Sequence, residues 1–165
     1  MLSTPVFSCT DHAKPAGRQA APTLVLDTNV VLDWLVFRHP VCAGWTQLFA
    51  GGKVRWLASA AMRDELAHVL GRGVASSRAP DVPGLWAVWE RLSKPAEPVL
   101  LSGAASRIRC TDADDQKFID LALGHGARWL LSRDRAVLKV ARRVRPLGLD
   151  VLTPEAWLAA FVSAG

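Results

Sequence analysis

The stretch Thr23-Leu24-Val25-Leu26-Asp27-Thr28-Asn29-Val30-Val31-Leu32 decides how the chain reads. A short apolar run ends on a carboxylate, passes through Thr and Asn, and turns apolar again. The first run is too short for a helix and fits a buried strand, with a helix expected after it. In an open α/β sheet, ligands collect in the crevice beyond the carboxyl ends of the strands. An acid that ends such a strand faces the crevice, and Asp27 holds that position.

Outward from this stretch, strands and helices alternate. Residues 23–27 are the first expected strand, and the helix after it carries Leu32 and Leu35, with a break near Pro40. Val41–Ala50 reads as a helix stopped by Gly51-Gly52, and 54–58 as the second strand. Ser59 is placed to cap a helix bearing Met62, Leu66, Val69 and Leu70. Residues 76–84 read as loop, 85–92 as a short helix and 99–101 as a strand. A helix opened by Asp114 or Asp115 and carrying Phe118, Ile119, Ala122 and Leu123 follows. Then come a strand at 129–132, a helix at 136–143, a strand at 151–152, and a last helix capped by Thr153 and begun by Pro154. The alternation predicts an α/β fold, a three-layer α/β/α sandwich around a central, mainly parallel sheet. Residues 1–22, with Pro5, Pro15, Gly17 and Pro22, read as a loose N-terminal extension before a single domain over 23–165.

Composition sets outer bounds. The 165 residues are 50% hydrophobic and 21% charged, which fits a globular domain. No apolar run approaches the roughly 20 residues of a bilayer span, so no membrane association is expected. Three cysteines without Cys-x-x-Cys spacing argue against a disulfide framework or a zinc site and fit a reducing cytoplasm. The net charge is +5, and fifteen of the twenty basic residues are Arg. A planar guanidinium bonds two phosphate oxygens at once, so this balance suits a polyanion such as nucleic acid, though it also serves solubility alone.

Four acids share one topological address. Asp27 ends a strand, Glu65 lies in the second turn of the helix after the second strand, Asp115 starts a helix, and Asp134 follows another strand. Singly, each reads as a solvated or helix-starting residue; Asp115 would stabilise a helix N-terminus. Together at one sheet edge, like charges raise one another's pKa unless cations offset them. Two divalent ions about 4 Å apart would do so and clamp the attacking and leaving oxygens of a phosphodiester. Thr28, Asn29 and Ser132 are polar neighbours able to orient a carboxylate or cap a helix. None of the four His residues lies in an acidic motif; His68, three residues after Glu65, reads as helix surface. Asp33 should lie on another helix face and be structural. The seven Trp, against no Tyr, read as core or dimer surface. Arg142-Arg143-Val144-Arg145 is a basic cluster that would guide RNA or simply solvate a helix end.

Four blocks in order resemble the PIN domain, a metal-dependent ribonuclease fold. They are residues 24–32 as quoted, Asp64-Glu65-Leu66-Ala67-His68-Val69-Leu70, Cys110-Thr111-Asp112-Ala113-Asp114-Asp115-Gln116-Lys117-Phe118-Ile119-Asp120-Leu121-Ala122, and Ala127-Arg128-Trp129-Leu130-Leu131-Ser132-Arg133-Asp134. The resemblance spans roughly 23–155 and is strongest to the bacterial branch of toxins from toxin–antitoxin pairs. Ala113 stands where that branch carries Pro, and Ser132 where Thr is common. It implies Asp27, Glu65, Asp115 and Asp134 as the catalytic and metal-binding acids, Asp112 as an auxiliary ligand, and Asn29 and Ser132 as polar supports. It further implies one or two Mg2+ or Mn2+ ions and RNA hydrolysis to a 5′-phosphate and a 3′-hydroxyl. A small antitoxin partner and a homodimer are also expected. Two other readings stand beside it: a non-catalytic PIN-like module that binds RNA or protein, and an aspartyl-phosphate phosphohydrolase. The latter wants a second Asp where Asn29 stands.

Overall fold

A computed structural model describes residues 20–163. The expected N-terminal extension falls almost wholly outside the described residues. Five strands form the sheet: β1 (Thr23–Leu26), β2 (Arg55–Ala58), β3 (Ser93–Pro95), β4 (Trp129–Leu131) and β5 (Asp150–Leu152). The eight helices among the described residues are α1 (Thr28–Leu35), α2 (Trp45–Ala50), α3 (Ala60–Gly71), α4 (Val82–Leu92), α5 (Gln116–Gly124), α6 (Arg135–Leu138), α7 (Ala141–Val144) and α8 (Pro154–Ser163). The strand order is β3-β2-β1-β4-β5 with every neighbouring pair parallel, so the α/β expectation holds.

Leu24, Val25 and Leu26 of β1 have no exposed surface, as a central parallel strand covered on both faces requires. The register sets Leu24 beside Trp56 and Trp129, so these three share one face. Aromatic helices cover that face. Trp56 meets Trp34 of α1 at 5.6 Å and Trp89 of α4 at 4.7 Å between ring centroids, and Trp129 meets Trp157 of α8 at 5.8 Å. Six of the seven tryptophans are buried and Trp86 is half-buried, so the Trp-rich composition builds core. Connections made in opposite directions along a sheet lie on opposite faces when both are right-handed. The path β1 to β2 to β3 runs one way and β4 to β5 the other; α5 packs on β1 and β4, and α7 on β5, as the second helical layer.

Local chemistry fixes several ends. Ser59 caps α3 by accepting the Met62 N–H, and Thr153 caps α8 by accepting the Ala156 N–H. Four expectations need correction. The third strand is Ser93–Pro95, not 99–101. Among the described residues it pairs with β2 alone, and a Pro is tolerated on such an edge. Residues 99–101 instead lie over the C-terminal end of α5, where a Cβ on Gly124 would meet the Val99 Cβ at 3.0 Å. The expected helix 41–50 is a 3-10 turn at Pro40–Cys42 followed by α2, separated by Gly44 at φ +81°, a conformation that favours Gly. Helix α4 starts at Val82, inside the expected loop, because Asp81 caps it by accepting the Gly84 N–H. The expected helix 136–143 is two short ones, α6 and α7.

Candidate active site

The strand order reverses direction between β1 and β4, and a parallel sheet opens its crevice at such a point. Asp27 follows β1 and Ser132-Arg133-Asp134 follow β4, so the two segments flank this opening. Strand pairing runs up to the site: the Asp27 N–H donates to the Leu131 carbonyl at 3.0 Å.

Asp27 is only 2% exposed. Although it stands at the N-cap position of α1, its side chain makes no capping bond there. Its Oδ2 accepts the Ser132 hydroxyl at 2.5 Å, and the Ser132 Oγ in turn accepts the Asp134 N–H at 2.9 Å. One hydroxyl thus ties the ends of β1 and β4. Burial pushes the Asp27 carboxyl above its ordinary range; the Ser132 hydroxyl opposes that, and the charges of Glu65 and Asp134 add to it.

Glu65 arrives from α3, which packs against both α1 and α5. Its Oε1 accepts the Thr28 hydroxyl at 2.6 Å, and its Oε2 is ion-paired with Lys117 of α5. Asp134 caps α6, its Oδ1 accepting the Ala136 N–H at 2.6 Å.

Asp115 is the least satisfied of the four. It occupies the N-cap position of α5 but makes no capping bond, and its Oδ2 is buried without a hydrogen-bond partner. Its carboxyl is pushed up to about 6, first by burial and then by the charges of Asp27, Asp134, Asp112 and Glu65. Asp27 and Asp115 thus both feel the charges of Glu65 and Asp134, as groups sharing one crevice do. Asp112 itself is exposed and accepts the Asp114 N–H at 2.9 Å. Asn29 is exposed in the first turn of α1. His68 is exposed on α3, as expected.

The donor set is hard oxygen throughout, which suits Mg2+ or Mn2+ and not a soft metal. The orphaned Asp115 oxygen and the mutual repulsion of the acids are what a cation would relieve. As the side chains stand, no three Asp, Glu, His or Cys among the described residues are close enough to hold an ion together. Glu65 and Asp134 are committed to protein donors instead.

Two charged residues escaped the sequence reading. Lys117 carries no local signal of its partner, because the pair joins α3 to α5. Arg133 sits between two site residues and forms a clamp: its Nε donates to Asp33 at 2.5 Å, and its two terminal nitrogens reach Glu155 at 3.1 and 2.6 Å. The structural reading of Asp33 finds its partner here.

The model of the PIN domain family matches residues 23–136. Among curated proteins none matches the chain. PIN domains are generally nucleases that use divalent metal ions, so a nuclease-type function follows for this fold. The matched span runs from the first residue of β1 into α6 and takes in all four acids of the crevice, and the chain belongs to the PIN domain family.

Proposed function

We propose that this chain is a metal-dependent endoribonuclease and the toxin of a toxin–antitoxin pair. The observation that carries the hydrolytic reading is the crevice between β1 and β4, where burial and the neighbouring acids raise the proton affinity of Asp27 and Asp115 and one buried Asp115 oxygen lacks a partner. Bound Mg2+ or Mn2+ would supply water activation and charge neutralisation there. Asp27 and Asp115 would hold it, with Asp134 and Glu65 as further ligands and Asp112 as an auxiliary one. The Ser132 hydroxyl holds Asp27 in place, and the Thr28 hydroxyl orients Glu65. The reaction adds a water oxygen to phosphorus and breaks the bond to the 3′-oxygen. That oxygen leaves with the electron pair and takes a proton, giving a 3′-hydroxyl and a 5′-phosphate.

The toxin role, the antitoxin partner, the homodimer and the preference for RNA rest on the resemblance of the four sequence blocks, and the Arg-rich charge of +5 is in keeping with a polyanionic substrate. A cytoplasmic site of action accords with a described structure in which no helix is long and apolar enough to cross a membrane. Among the described residues no ready three-ligand group is present, and this gives the binding-module reading its one point of support.

Incubating purified full chain with end-labelled RNA and Mn2+ separates the two. Cleavage to 5′-phosphate ends, lost in chelator and reduced at least about 100-fold in Asp27→Asn, supports the nuclease. RNA bound but uncut with Mn2+ present contradicts it. Expressed alone in bacteria, the wild-type chain should arrest growth and an equally abundant Asp115→Ala chain should not. Equal growth at equal soluble amounts would remove the toxin role while leaving the nuclease standing.

A further inference from the structure

Lys117 is the one cation within ion-pair distance of any of the four acids among the described residues. Its ammonium pairs with the Glu65 Oε2, donates to the Asp114 carbonyl, and lies 4.9 Å from the Phe118 ring centroid. The side chain is 25% exposed, so the pair is neither fully buried nor freely solvated. Since Thr28 takes the other oxygen of Glu65, both carboxylate oxygens are engaged by protein donors. Among the described residues Glu65 is also the only one of the four acids that a cation neutralises, while the Asp115 Oδ2 has no hydrogen-bond partner there.

We propose that Lys117 is the resident counter-ion of this site: it holds Glu65 in the metal-free protein and competes with a divalent ion for that carboxylate. The proposal rests on the metal-dependent reading above. Two consequences have opposite signs. Without metal, the ammonium offsets part of the repulsion among five neighbouring acids and supports the fold. With metal, the same positive charge opposes a second cation and sets the ion concentration at which the site fills. A purely structural ion pair would show the first effect and not the second.

The test is titration calorimetry of the full chain with Mn2+ alone, on wild type, Lys117→Met, Lys117→Gln and Lys117→Arg, with thermal melts of each in chelator. Met keeps an unbranched stem and removes the charge; Gln serves if Met fails to fold; Arg keeps the charge. The neutral variants should bind Mn2+ about three- to tenfold tighter than wild type and melt lower in chelator, and Arg should stay near wild type. Folded neutral variants that bind Mn2+ equally or more weakly overturn the counter-ion role and leave metal binding intact. No Mn2+ binding by any of the chains overturns the metal-dependent reading, and this proposal with it. Binding by the neutral variants alone supports the proposal in its strongest form.

Discussion

At Asp115 two effects add: burial removes water from the carboxyl, and four neighbouring acids repel its charge. Its ordinary value is 3.8 and in the fold it is pushed up to about 6. Between those values the folded chain holds a proton that the unfolded chain has released. Metal-free stability therefore falls as pH rises from about 4 to about 6, and the penalty is fully present above that window. Asp115→Asn keeps the shape without the charge. In chelator its melting temperature should match wild type near pH 4 and exceed it by about 3 °C at pH 7. A difference between the two chains that does not change with pH would mean that Asp115 is not the strained acid described here. The positions of Asp27 and Asp115 were legible because a strand-ending or helix-starting acid has a fixed address in an α/β fold. Lys117 was not legible, because its meaning lies in a pairing between two helices that no local pattern announces.

The elements differ in how plainly they were written. Strand β1 and the helices α3 and α5 read directly, from an unbroken apolar run, the Ser59 cap, and the spacing of Phe118, Ile119 and Ala122. Strand β3 did not, because Ser93-Lys94-Pro95 carries no apolar signal and owes its extended form to one neighbour, β2. The run at 99–101 misled for the complementary reason: it has strand composition but packs on α5, leaving Leu100 97% exposed. Where elements meet at the site, single polar atoms join them. The Ser132 hydroxyl links the ends of β1 and β4, and the Arg133 clamp joins α1, the end of β4 and α8. Ser132→Ala would leave the buried Asp27 carboxylate and the Asp134 N–H without their shared partner. A urea titration in chelator should show a loss of about 1–3 kcal/mol. An unchanged midpoint would show that the hydroxyl does not support Asp27.

On the scale of the whole molecule, one reversal of strand order creates the crevice and one layer of aromatic packing makes it rigid. Trp34 of α1 lies within 6.1 Å of Trp45, Phe49 and Trp56 between ring centroids, so the helix that starts at Asp27 is held by the largest side chains in the core. A rigid frame holding mutually repelling acids stores a preference for cations, and in the proposed function this preference is for a divalent ion bound between β1 and β4. The most direct measurement is anomalous scattering from crystals of the full chain grown with Mn2+. A peak is expected in the crevice, within about 2.0–2.6 Å of carboxylate oxygens of Asp27 and at least one of Asp115, Asp134 or Glu65. Crystals with no peak there, or with Mn2+ bound only elsewhere on the surface, would contradict it.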